Sequence, residues 1–183
     1  SVSDDGTTEK LESAANLDIT SIEGPDADSK AVTLGKNAAF LMETGEGSAL
    51  SSYTLMMDIR RNTEEWCSLL QTDFANSDDG DIFIKPSGEI GLGGHIPYVN
   101  KIETSRWHRV ILVVKEGVAA IYVDGVLATA ASSAFDRYII SEQGTFLFCD
   151  NDGEMSPIDI SAIKFWNKPL SAGQVEALGK VTE

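Results

Sequence analysis

The densest group of chemistry-bearing side chains is the run Asp150-Asn151-Asp152-Gly153-Glu154. A hard cation such as calcium takes about six to eight oxygen ligands, and a short Asp-x-Asp loop with a glycine lets carboxylates and carbonyls converge without steric conflict. The run follows an apolar stretch, Gly144 to Cys149, so its carboxylates are expected at a sheet edge rather than in bulk water. Asp159 stands among Pro157, Ile158 and Ile160, with no basic neighbour before Lys164. A buried carboxylate needs a partner, which makes Asp159 the fourth candidate calcium ligand after Asp150, Asp152 and Glu154. The competing reading is a solvated turn with Asp159 bonded to backbone amides. A second acidic stretch, Asp73 and then Asp78-Asp79-Gly80-Asp81, reads as a plain solvated hairpin loop.

Ligand-binding chemistry of another kind lies in Gly93 to Lys101, a loop that carries His95, Tyr98 and Asn100. Aromatic rings stack on sugar faces while amides and carboxylates bond the hydroxyls. Trp66, after the charged turn Arg60 to Glu65, is a further candidate, whereas Trp107 and Trp166 sit in strand patterns that suit core packing. Catalytic residues are not assigned. The chain has only two histidines, His95 and His108, and no Gly-x-Ser-x-Gly elbow. Gly91-Leu92-Gly93-Gly94 lacks the following helix that a dinucleotide fingerprint requires. Cys67 and Cys149, 82 positions apart in apolar strand patterns, read as buried free thiols; a disulfide closing a long loop is the alternative.

The elements that must position these groups are short and β-rich. The chain of 183 residues carries 14 Lys and Arg against 29 Asp and Glu, a net charge of −15, with a hydrophobic fraction of 42% that suffices for one core. Such a surface repels phosphate backbones and anionic lipids and favours cations, so nucleic acid is not an expected partner. No apolar run approaches the roughly 20 residues of a membrane span. Residues 1–30 read as an acidic tail and lead-in, of which the first ten are a loose tether, and residues 31–183 as the folded domain. Tyr53 to Ile59 and Trp66 to Gln71 read together as a hairpin. Asp81 to Ile84 meets Glu89 to Leu92 across Pro86-Ser87-Gly88, and Trp107 to Thr129 forms three antiparallel strands with turns at Glu116-Gly117 and Asp124-Gly125. Strands follow at Gly144 to Cys149 and Ile158 to Trp166. Ser171 with Gln174 makes a capping box for one short C-terminal helix ending at Gly179.

Four segments in this order carry a family resemblance: Arg106 to Val110, Ile121 to Leu127, Leu147 to Glu154, and Ile163 to Ser171 with Val175 to Gly179. Over the span from Leu34 to Gly179 the chain resembles a laminin-G-like domain of the concanavalin A-like lectin/glucanase superfamily. The resemblance implies an all-β fold, a two-sheet antiparallel jelly-roll sandwich, commonly with calcium, found in secreted and cell-surface proteins that bind glycans or other proteins. It makes His108 structural, and it gives Asp159 a position that in similar domains faces a structural metal. Laminarinase-type members use a Glu-x-Asp-x-x-Glu strand motif whose carboxylates share one sheet face. Asp150, Asp152 and Glu154 have similar spacing, but Asp replaces the first Glu, and Asn151 and Gly153 replace the apolar residues of a central strand. The expectation is therefore a non-catalytic, calcium-dependent extracellular binding module for carbohydrate or a surface or matrix protein. A β-glucan-type glycoside hydrolase and a structural accessory domain are the alternatives.

Overall fold

The computed structural model describes residues 18–182. The acidic tether expected over the first ten residues lies outside them. Among the described residues, thirteen strands form two antiparallel sheets. In chain order they are β1 (Ile19–Glu23), β2 (Lys30–Leu34), β3 (Phe40–Met42), β4 (Tyr53–Arg61), β5 (Cys67–Gln71), β6 (Ile82–Ile84) and β7 (Glu89–Leu92). Then come β8 (Ile96–Asn100), β9 (Trp107–Lys115), β10 (Val118–Val123), β11 (Val126–Ala130), β12 (Thr145–Leu147) and β13 (Ile158–Trp166), with helix α1 over Ala172–Leu178. One sheet runs β1-β2-β13-β4-β9-β10-β11 and the other β3-β12-β5-β6-β7-β8. This is the jelly-roll sandwich with one short C-terminal helix that the sequence implies. Among the described residues no helix is long and apolar enough to cross a membrane.

Alternate residues of the central strands make the core. Tyr53, Leu55, Met57 and Ile59 of β4 point inward with Val110, Leu112 and Val114 of β9, against Leu69, Ile84 and Ile90 of the facing sheet. The seven-stranded sheet is buried on its outer face as well. There Met56, Ile111 and Val113 pack against Val175 of α1, while Val181 covers Trp107 and Ala31. Burying Val175 fully contributes about 1.5–3 kcal/mol toward docking the helix. Arg109 reinforces it with a bidentate pair to Asp58 (2.7 and 2.8 Å) and a bond to the Leu178 carbonyl at the helix end. The capping box at Ser171 and Gln174 forms in both directions, and Gly179 ends the helix at φ +62°.

Two expectations are corrected. Tyr53 to Ile59 and Trp66 to Gln71 are not a hairpin, because β4 belongs to one sheet and β5 to the other, so the turn between them carries the chain across the sandwich. The lead-in before residue 31 is not outside the domain either, since β1 pairs with β2 from Ile19 to Glu23 and extends the seven-stranded sheet.

Candidate functional site

The acidic run is an excursion from a strand ladder. Leu147 of β12 faces Leu70 of β5, and the Phe148 amide reaches the Leu69 carbonyl (3.3 Å). The ladder then resumes where Ser68 donates to the Glu154 carbonyl (2.8 Å) and Ser156 to the Trp66 carbonyl (3.1 Å). Cys149 to Gly153 is thus looped out between two anchored points, with Phe148 at φ +58° starting the departure. A second excursion, from Thr72 to Gly80 between β5 and β6, lies against the first. Gly80 donates to Asp150 Oδ1 (2.9 Å), and Asn76 Nδ2 to the Asp150 carbonyl (3.2 Å).

Asp150 is the pivot of the two loops. It is 3% exposed and also accepts from the amides of Asp152 (3.2 Å) and Glu154 (3.3 Å). Burial pushes its carboxyl up, but the three amides together with the Asp152 side chain outweigh burial and hold it below the ordinary range. Its neighbours move the other way. The Asp152 carboxyl is raised by its contact with Asp150, and that of Glu154 by burial and then by Asp150, Asp152 and Asp79. One oxygen from each of Asp150, Asp152 and Glu154 lies within 4.8 Å of the others. Oxygens that share a calcium ion at about 2.4 Å are at most about 4.8 Å apart, so this donor set fits a hard divalent cation in type and spacing.

Asp159 does not join the three. It lies on the outer face of the seven-stranded sheet, 1% exposed, and the premise that it lacks a basic partner is corrected by Arg60 of β4. Arg60 Nη2 (2.7 Å), Arg60 Nε (2.9 Å) and Asn62 Nδ2 (2.7 Å) reach one carboxylate oxygen, and Thr33 Oγ1 (2.6 Å) reaches the other. The missing signal was the cross-strand register Asp159 to Arg60, which lies 99 positions away in sequence. The second acidic stretch is also more than a solvated loop. Asp81 is fully buried, held by Thr72 (2.6 and 2.8 Å) and by Arg137 Nε (2.8 Å), and burial raises its carboxyl despite them.

The aromatic candidates separate into two places. Trp66 stands edge-to-face with Phe83 (6.0 Å) and Tyr98 (6.4 Å), and Lys85 Nζ sits 3.9 Å over the Tyr98 ring. Beside Trp66 opens a cleft of about 350 Å³, lined by Lys36, Glu64, Glu65, Pro86 and the Gly153–Ser156 end of the looped-out segment. Glu154 therefore belongs both to the carboxylate group and to the cleft wall. His95 lies in a separate cavity of about 360 Å³ that Tyr98 also lines, with Gly93, Gly94 and Ser132, and its ring stacks on Phe135 at 3.7 Å. Asn100, exposed at the end of β8, pairs with Glu89 and lines neither cavity. Lys36, Lys85 and Phe135 escaped the sequence reading because nothing in their local pattern marks them; only the fold brings Lys36 to the Trp66 cleft, Lys85 over the Tyr98 ring and Phe135 against the His95 ring.

Other groups are structural. His108 Nδ1 meets Asp124 Oδ2 (2.8 Å), and its Nε2 accepts from the Glu103 amide (3.0 Å). Cys67 and Cys149 are free thiols. Burial pushes Cys67 up to about 11 and raises Cys149 as well.

No protein-family model matches the chain, and no curated protein matches it. Solved structures do. The binding domain of Paraclostridial mosquitocidal protein 1 superposes with a TM-score of 0.62 at 17% identity, covering 87% of this chain and 45% of that one. Domain 4 of AbnA, a GH43 extracellular arabinanase from Geobacillus stearothermophilus in complex with arabinotriose, gives 0.58 at 18% identity over 87% of this chain and 81% of that one. The receptor binding domain of botulinum neurotoxin type G gives 0.57 at 15%, again over 87% and 45%. The chain spans less than half the length of the two toxin domains. The likeness is one of fold, a β-sandwich shared with these domains, and it does not single out the laminin-G-like group.

Proposed function

We propose that the chain is a non-catalytic, extracellular carbohydrate-binding module, whose cleft beside Trp66 takes a glycan and whose Asp150, Asp152 and Glu154 hold a calcium ion at the cleft wall. The observation that carries this reading is the juxtaposition of an aromatic ring with Lys36, Glu64, Glu65 and Glu154 around one open cleft. A ring offers a sugar its apolar face, and the surrounding charges offer hydroxyl partners. α1 and Val181 cover the centre of the outer face of the seven-stranded sheet, whereas the Trp66 cleft is open and lined by connecting loops. The arabinotriose complex of the AbnA domain and the similarity to toxin binding domains support a glycan or receptor ligand. Calcium would supply positive charge where three carboxylates crowd, bracing the Gly153–Ser156 wall.

The test is a glycan array followed by calorimetry, with calcium and with EDTA, on the native chain and Trp66→Ala. Losing a ring that buries about 1.5–3 kcal/mol of apolar contact predicts a weakening of roughly ten- to a hundredfold. Unchanged affinity in Trp66→Ala would remove the cleft from the reading. An array without hits would leave a structural accessory domain.

A further inference from the structure

Three Asp-Gly pairs fall within the described residues: Asp79-Gly80, Asp124-Gly125 and Asp152-Gly153. In such a pair the glycine nitrogen attacks the aspartate Cγ. A C–N bond forms, the carboxyl oxygen leaves as water, and a five-membered succinimide results. Water then reopens the ring at either carbonyl, restoring aspartate or moving the main chain onto the side-chain carbonyl as isoaspartate. One water leaves and one returns, so no co-reactant is needed. The reaction requires a glycine amide that is not otherwise bonded and a carboxyl that is not clamped.

The three pairs differ in both respects. At Asp79 the Gly80 amide is committed to Asp150 Oδ1 (2.9 Å), and Gly80 is buried with Ser68 and Phe83 crowding it. At Asp124 both oxygens are held, one by His108 Nδ1 (2.8 Å) and one by the Arg109 amide (2.9 Å), while Gly125 abuts Gly179. At Asp152 the side chain is exposed and meets the Asp150 carboxyl but no cationic group. The Gly153 amide makes no hydrogen bond among the described residues, and nothing lies within 4 Å of the position a Gly153 Cβ would take. We infer that, among the described residues, Asp152-Gly153 is the site of spontaneous isoaspartate formation, and that the fold protects Asp79-Gly80 and Asp124-Gly125. The change inserts a methylene into the main chain between Asp150 and Glu154, inside the loop that lines the Trp66 cleft, so it ages that wall.

The folded chain is held in EDTA, so that no cation clamps Asp152, near neutral pH at physiological temperature, sampled over weeks, digested, and assayed for isoaspartate by methyltransferase labelling and fragmentation mass spectrometry. A parallel sample is held in urea. In the folded chain, Asp152 is expected to convert at least about tenfold faster than Asp79 or Asp124, equivalent to about 1.4 kcal/mol of local restraint. In urea the three should agree within about threefold, because the restraints are gone. Asp152→Glu, at an exposed position, should abolish the folded-state signal of the peptide that carries residue 152, which is read separately from the peptide that carries Asp5-Gly6. Equal conversion at Asp79 or Asp124 in the folded chain would overturn the inference. So would a folded chain that leaves Asp152 unmodified while the urea sample converts it.

Discussion

Asp150→Ala is the perturbation that bears most directly on the site. In the native chain this carboxylate satisfies the amides of Gly80, Asp152 and Glu154 and joins the two looped-out segments. Removing it leaves the buried Gly80 amide unpaired, at a cost of about 1–3 kcal/mol, while the other two amides turn to water at little cost. For a chain of this size, 1 kcal/mol moves the melting temperature by about 2–4 °C, so the variant should melt about 3–10 °C lower in EDTA. Calcium adds a second reading. Saturation at a hundredfold excess over Kd stabilises by about 2.7 kcal/mol, so the native chain should gain about 5–10 °C and the variant almost nothing. Differential scanning calorimetry with and without calcium reads both effects, and Asp150→Asn, which keeps an acceptor but not the charge, should lose the calcium shift with a smaller loss of baseline. An EDTA melting point within about 1 °C of native would refute the bracing role of Asp150. A calcium shift that survives in the variant would refute the loop as the cation site.

Three further outcomes are expected. Asp159→Ala leaves Asn62 and Thr33 without their acceptor and the part-exposed Arg60 guanidinium without its counter-charge, and should cost about 1–3 kcal/mol in urea unfolding; a loss below about 0.5 kcal/mol would contradict that bond network. The metal-free chain should be at least as stable near pH 5 as at pH 7. The raised carboxyls of Glu154 and Asp152 take protons in the folded state first, adding stability as pH falls through their folded values and losing it as pH rises. Asp150, held low, acts in the opposite sense, and its contribution disappears only as pH falls through its depressed folded value, below the ordinary 3.8. A steady fall in stability from pH 7 to pH 5, measured by urea unfolding in EDTA, would contradict this. Finally, a thiol reagent at mildly alkaline pH should label half-buried Cys149 well before Cys67, which burial keeps protonated up to about 11. Equal labelling rates would place Cys67 nearer the surface than its 2% exposure allows.

What local sequence determined is what local sequence can encode. The Asp124-Gly125 and Pro86-Ser87-Gly88 turns, the Ser171 capping box and the terminating Gly179 each rest on the backbone preferences of two to four neighbouring residues, and each forms where those preferences place it. The convergence of Asp150, Asp152 and Glu154 is local too, since five consecutive residues leaving a ladder have few places to go. Tertiary structure decided the rest. Alternation in Tyr53 to Ile59 is blurred because α1 also buries the outer face of β4, so a strand covered on both sides loses its polar row. The crossing from β4 to β5 looks like a hairpin because a charged turn between two apolar runs reads the same whether the next strand pairs with the last or with the opposite sheet. The Arg60 partner of Asp159, the Gly80 amide on Asp150, and the meeting of Lys36, Trp66 and Glu154 at one cleft join residues from 30 to 118 positions apart. Contacts at that separation are set by sheet order and register, which no window of a few residues contains.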